Sequence, residues 1–166
     1  MLDGAAQNRV DRLKKLRLLL DEIDGSKVTL IGDTMLDRYH HGYSNNLNST
    51  APVPVMKVIR SEESPGASAH IALGLNSLGM DVRFHCSIGD DPEGSSISNM
   101  LSTEGISTDQ IIVVQSRKTL TKIRFYGSRE SLLEKSQILL QADRGPQEPL
   151  SSDVSEALAT SALESL

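Results

Sequence analysis

Apolar and polar residues alternate with two different periods along this chain. Val10, Leu13, Leu16, Leu20 and Ile23 recur at helical spacing with Arg12, Lys14, Lys15 and Asp21 between them. The spacing predicts an amphipathic helix over residues 10–25, closed at Asp24-Gly25. Val28–Ile31 is a short apolar run that stops at a glycine, the pattern of a buried strand. Residues 38–50 are polar and rich in Asn and Ser, which predicts a loop or an irregular edge strand. Val53–Ile59 is β-branched and follows Pro52, so it is extended, and Pro54 confines it to a sheet edge. It is apolar on both faces, as a strand under a lid or paired with another chain would be.

Helical spacing returns at Ala69–Leu78, with Gly79 just beyond, and again after Pro92-Glu93-Gly94, with Ile97, Met100 and Leu101. Val82–Ile88 and Ile111–Val114 read as core strands, and Thr119–Tyr126 alternates as a half-exposed strand. Ile138–Leu140 is a further candidate strand before a linker-like Asp143-Arg144-Gly145-Pro146, and Ser151-Ser152-Asp153 caps a last helix. Helices and strands alternate except in the extended segments. That order predicts an α/β fold, a parallel sheet with a small extended lid.

Composition narrows the function more than the fold. At 166 residues, one domain is the expectation. Seventeen basic against 22 acidic residues leave a net charge of −5, which gives no electrostatic case for nucleic acid or an anionic membrane. Two Phe, three Tyr and no Trp supply no evident base-stacking platform. No apolar run approaches the roughly 20 residues that span a bilayer, and the start has no secretory pattern. Cys86 is the single cysteine, which excludes an internal disulfide and fits a reducing cytoplasm.

The candidate chemistry begins where the first strand ends. Asp33 and Asp37 follow Gly32, and carboxylates at the carboxyl edge of an α/β sheet suit the hydroxyls of a small ligand. The structural alternative is that Asp33 caps a turn and Asp37 pairs with Arg38 or a lysine. Small residues in Pro65-Gly66-Ala67-Ser68-Ala69 let backbone N–H groups approach a ligand, or simply connect strand to helix. Lys122 and Arg124 share a face of an extended strand, as phosphate ligands or as a solvent face. His40, His41, His70 and His85 lack metal-ligand spacing, and Glu62-Glu63 and Asp90-Asp91 read as solvated or helix N-terminal charges.

Taken together, Gly32-Asp33-x-Met35-Leu36-Asp37-Arg38-Tyr39, Ala51-Pro52-Val53-Pro54-Val55-x-Lys57-Val58, Pro65-Gly66-Ala67-x-Ala69, Ser77-Leu78-Gly79 and Ile88-Gly89-Asp90-Asp91 resemble the ribokinase-like (PfkB) sugar kinases. Within them they look most like the kinase domain of bifunctional heptose-phosphate kinase/adenylyltransferases, which make ADP-heptose for lipopolysaccharide. Thr119-x-Thr121-Lys122-x-Arg124 is similar to that group's returning lid strand. The likeness runs from about residue 10 to 145.

The resemblance implies a doubly wound α/β domain, here its N-terminal portion, with lid segments at residues 38–60 and 118–130. It implies a sugar-phosphate substrate contacted by Asp37, Gly66, Ala67 and His70, with Asp33, Lys122 and Arg124 nearby. ATP and Mg²⁺ are the implied cofactors, and lids that pair between subunits imply a homodimer.

The sequence departs from the family at three places. Ala67 and His70 replace a glycine and an amide of the usual Gly-Gly-Ala-Ala-Asn, and Asn46-Leu47-Asn48-Ser49-Thr50 replaces Arg-Ile-Ser-Pro-Glu. The Gly-Ala-Gly-Asp motif, which carries the catalytic base, and the nucleotide pocket belong to the family's second half and are not in this sequence. The expectation is therefore a substrate-gripping half that neither binds ATP nor turns over alone, or else a degenerate binding or dimerisation module.

Overall fold

The computed structural model describes residues 4–128 and 136–166. In chain order it shows α1 (Gly4–Ile23), β1 (Lys27–Ile31), β2 (Thr34–Leu47), β3 (Pro54–Ala67), α2 (Ser68–Ser77), β4 (Asp81–Gly89), α3 (Pro92–Thr103), β5 (Ile111–Val114), β6 (Thr121–Ser128), β7 (Gln137–Arg144) and α4 (Ser152–Glu164). The strands form two sheets. One is parallel, in the order β1-β4-β5. The other is mixed, in the order β3-β2-β6-β7, with β2 parallel to β6 and the outer pairs antiparallel.

Period-two alternation along β4 decides what covers the parallel sheet. Val82, Phe84, Cys86 and Ile88 are buried in one cluster with Ala69 and Ala72 of α2 and Ile97 and Leu101 of α3. Of the intervening residues, Arg83 and His85 face α4. Arg83 donates to the Ser165 carbonyl at 2.6 Å, and His85 Nδ1 lies 3.1 Å from the Ser161 hydroxyl. Helices on both faces of a parallel sheet are the doubly wound arrangement that the family resemblance implied. Burial pushes the Cys86 thiol up to about 12, helped by the charge of Asp33, so it behaves as a small hydrophobe.

Several elements differ from the sequence reading. Residues 38–47 are strand, irregular in that the pairing with β3 shifts register at His41/Gly42 and at Tyr43/Asn46, and β2 lies inside the lid sheet rather than at an edge. Beyond Leu36 this strand gives no side chain to the buried apolar cluster, so alternation of apolar residues is not required there. Cross-strand pairs hold it: His40 stacks on Phe125 at 4.9 Å and His41 on Tyr126 at 5.3 Å. β3 is the predicted edge strand but is much longer, and Ser64–Ala67 is its end rather than a loop. Asp143 and Arg144 are strand, paired with Lys122 and Thr121, rather than linker. The leading helix starts at Gly4 instead of residue 10, and its apolar face is uncovered, with Leu13 and Leu16 more than half exposed. Residues 129–130 of the predicted lid lie outside the described residues.

Candidate functional site

Strand register builds the site. Ser64, Asp37, Lys122 and Asp143 stand side by side across β3, β2, β6 and β7. Directly opposed residues share a face, so these four form one row. The next row, about 6.7 Å along the strands, is Glu62, Tyr39, Arg124 and Gln141. A third holds Arg60, His41 and, on β6, Tyr126.

The rows are tied diagonally. Arg124 Nη1 donates to Asp37 Oδ1 at 2.6 Å, and both side chains are largely buried. The same guanidinium lies 5.3 Å from the Tyr39 ring centroid. The bond to Asp37 raises the Arg124 pKa above its ordinary value against the opposing effect of burial. The sequence offered Arg38 or a lysine as partners for Asp37. Arg38 instead turns to the opposite face, where it meets Glu63 at 2.6 Å and Glu93 at 3.5 Å. Glu93 opens α3 and also pairs with Arg144, so this face of the lid is clamped to the α/β unit. β6 is an interior strand, which corrects the reading of Lys122 and Arg124 as the solvent face of an edge strand.

Gly66 presses its backbone against the second oxygen of Asp37. A Cβ there would overlap Asp37 Oδ2 and lie 2.8 Å from Met35 Cγ, so only glycine permits the approach. Ala67 follows with φ +51° and carries the chain from β3 straight into α2. The family has a glycine at this position, and an alanine bears the positive φ at a cost of about 1–3 kcal/mol. Ser68 N then donates to the Asp33 carbonyl at 3.1 Å. Asp33 itself lines a cleft of about 150 Å³ with Thr34, Ser87, Gly89, Lys118 and Thr119, at the carboxyl ends of β1 and β4.

Of the residues singled out in the sequence, Asp37, Gly66, Lys122 and Arg124 are thus brought together, and Ala67 and Asp33 adjoin them. His70 is exposed in the first turn of α2, and no hydrogen bond links it to Asp37 among the described residues. Asp143 was missed. The polar alternation Gln141, Asp143 was the available signal, and Gly145-Pro146 obscured it by reading as a linker. Asp91 was read as a loop or helix-end charge, and it is a buried N-cap of α3. Among the described residues, no three His, Cys, Asp or Glu side chains converge as a metal set. No helix among them is long and apolar enough to cross a membrane.

The pattern of the pfkB family carbohydrate kinases matches residues 26–144. Bifunctional protein HldE of Psychromonas ingrahamii is 36% identical over 118 residues, covering 71% of this chain and 25% of that protein. Bifunctional protein HldE of Actinobacillus succinogenes is 37% identical over 108 residues, 65% of this chain and 22% of that one. The chain thus spans about a quarter of the length of these relatives. In three dimensions it is similar to Arabidopsis thaliana ribokinase, solved with ribose and ATP, with a TM-score of 0.56 at 17% identity over 81% of this chain and 42% of the other. With lid, parallel sheet and matched sequence agreeing, this chain belongs to the pfkB family of carbohydrate kinases.

Proposed function

We propose that this chain forms the acceptor-binding part of a sugar kinase that passes the γ-phosphoryl group of ATP to a sugar phosphate of the heptose 7-phosphate type. The row Ser64-Asp37-Lys122-Asp143 supports it above all. Arg124 occupies one lone pair of Asp37 Oδ1 and fixes the carboxylate, leaving acceptor capacity for sugar hydroxyls. Asp143 supplies a second carboxylate, and Lys122 between them, with Arg124 behind, supplies positive charge for an anionic substituent. Gly66 lets the Asp37 carboxylate lie against the backbone, and Ala67, Asp33 and His70 are the further residues of this chain assigned to the sugar. The 36–37% identity to HldE proteins is what favours a heptose phosphate over other sugars.

ATP is the donor, with Mg²⁺ to shield the transferring charge. No described residue of this chain is assigned to the ion. Transfer depends on a positioned base and a phosphate clamp, and the family's Gly-Ala-Gly-Asp motif is not in the 166 residues. The chain by itself is therefore a binder of acceptor, silent toward ATP, working in the cytoplasm, where a lone buried thiol such as Cys86 is ordinary.

Calorimetric titration with heptose 7-phosphate tests the site. Saturable binding that weakens at least tenfold in Asp37→Ala is expected, and a wild-type chain that does not bind overturns the acceptor reading. Release of ADP from Mg²⁺-ATP by the chain alone overturns the silence.

A second reading, a dimerisation module, rests on a different observation. β3 is a lid edge, and Val55, Val58 and Ile59 on it are exposed. An uncovered apolar edge pairs readily with a second copy. Sedimentation equilibrium should give a dimer that Val58→Lys dissociates, and a wild-type monomer at high micromolar concentration removes this reading.

A further inference from the structure

Whether Lys122 and Arg124 reach Asp37 depends on the phase of β6. A slip of one residue would put Thr121 and Ile123 on that face and send both cations to the other. Something must therefore fix where β6 begins, and the described contacts locate it.

Residues 115–120 cross the carboxyl end of β4 on their way from β5 to β6. The fit is close enough that a Cβ on Gly89 would overlap the Arg117 carbonyl and lie 2.9 Å from Thr119 N. At the centre are two buried polar side chains, Asp91 (8% exposed) and Thr119 (3% exposed). Thr119 N donates to Asp91 Oδ2 at 2.9 Å, and Thr119 Oγ1 donates to Asp91 Oδ1 at 2.7 Å. Gly94 N at the start of α3 also donates to Asp91 Oδ1, at 2.9 Å. The Thr119 hydroxyl oxygen accepts from Gly89 N at 2.9 Å. One threonine is thus held by the end of β4 and by the cap of α3. The next residue, Leu120, offers its carbonyl to Leu36 N at 2.8 Å, the bond beside the first β2–β6 pair, Leu36 with Thr121. Asp37 and Lys122 are the pair after that.

We propose that Asp91 and Thr119 are positioning residues of the sugar-gripping row: by pinning Thr119 to the α/β unit they set the register that brings Lys122 and Arg124 to Asp37. The inference builds on the acceptor site proposed above for its use, although the register itself is a property of the chain without ligand. Asp91 does more here than cap a helix. Capping uses the bond from Gly94, whereas the two bonds from Thr119 serve only the strap. Burial pushes the Asp91 carboxyl up, but the bonds from Thr119 and Gly94 and the charge of Lys118 outweigh it and hold the carboxyl below its ordinary range.

The two roles separate by substitution. Asp91→Ser keeps a good N-cap for α3 and loses the reach to Thr119. Thr119→Val removes the hydroxyl at nearly constant shape, and Thr119→Ser restores it. The readout is ¹⁵N NMR of the intact chain. Exchange of the Arg124 guanidinium protons with water reports the bond to Asp37, with Asp37→Asn as the control that breaks it, and amides of β4 and α3 report the core. In Asp91→Ser and Thr119→Val, Arg124 exchange should quicken at least tenfold and the β6 amides should shift or double, while the amides of β4 before Gly89 and of α3 beyond its first turn keep their wild-type spectra. Thr119→Ser should match wild type. Slow, wild-type Arg124 exchange in both variants would overturn the proposal, as would Thr119→Ser behaving like Thr119→Val.

Titration of the same samples with heptose 7-phosphate then tells the two ideas apart. An at least tenfold weaker dissociation constant in Asp91→Ser and Thr119→Val, but not in Thr119→Ser, extends the register effect to the ligand. If the variants show the register effects but wild type binds no sugar phosphate, the acceptor reading fails and the register role stands.

Discussion

Strands β4 and β2 each lie between two neighbours, one in the parallel sheet and one in the lid, yet their side chains differ in kind. β4 buries Val82, Phe84, Cys86 and Ile88 under α2 and α3. β2 carries Asp37, Arg38, Tyr39, His40 and His41, all only partly buried and each engaged with a particular neighbour. Burial is non-directional and scales with apolar area, so the β4 layer is stable without being particular about which atom meets which. Ion pairs and stacked rings are weak in stability but strict in geometry, so the lid holds a specific arrangement of charges at little net gain. The comparison teaches that stability and specificity sit on different sheets of one small chain.

The largest effect that tests this contrast is a matched pair of phenylalanine truncations. Phe84 is fully buried, and Phe84→Ala should cost about 3–5 kcal/mol in urea denaturation. Phe125 stacks on His40 in the lid, and Phe125→Ala should cost no more than about 1 kcal/mol. Equal costs would erase the distinction between the sheets.

Next in size is the charge pair. Arg124→Gln removes a charge-assisted bond and leaves a largely buried carboxylate with one partner fewer, at a cost of about 2 kcal/mol. Unlike Phe84→Ala, it should also weaken heptose 7-phosphate binding under conditions where the chain stays folded. Calorimetry showing unchanged affinity would break the link between lid geometry and acceptor.

The parallel sheet also carries a histidine that reports on pH. His85 on β4 is fully buried against α4, and burial first, then the charge of Arg83, lowers its pKa below the ordinary 6.5. The folded state therefore binds this proton less readily than the unfolded chain. Its contribution to stability is complete above pH 6.5 and is lost as pH falls from there toward the lower folded value. Denaturation midpoints measured between pH 7.5 and 5 should fall with acid, and His85→Gln should flatten that slope. An identical slope in the variant would place the acid sensitivity elsewhere.

How legible each sheet was follows from the same contrast. The parallel sheet was readable because Val28–Ile31 and Ile111–Val114 are short apolar runs and Val82–Ile88 alternates apolar with polar residues up to Gly89, and burial writes itself into a single sequence as hydropathy. The lid was not. Residues 38–47 read as a loop or an irregular edge strand because Arg38, His41 and their neighbours are chosen for partners on β3 and β6, and pairing between distant segments leaves no period in one strand. Asp37, Gly66, Lys122 and Arg124 were legible as a set through the family likeness alone. Asp143 and the Asp91–Thr119 contact were hidden, since each needs the register of a second segment before its position has meaning.

The smallest expected effect lies at the far end of the lid rows. Arg60 Nη1 meets Glu62 Oε1 at 2.8 Å, but both side chains are at least half exposed. Water and salt screen such a pair, and two long side chains lose rotamer freedom to form it. Arg60→Ala should therefore change stability by less than about 0.5 kcal/mol and leave the Arg124–Asp37 bond intact. The substitution sharpens the comparison because Arg60 and Arg124 both sit on the lid face that carries Asp37 and differ chiefly in exposure. If Arg60→Ala cost as much as Arg124→Gln, placement on that face would matter more than burial. Specificity would then be spread over the whole lid instead of concentrated at Asp37.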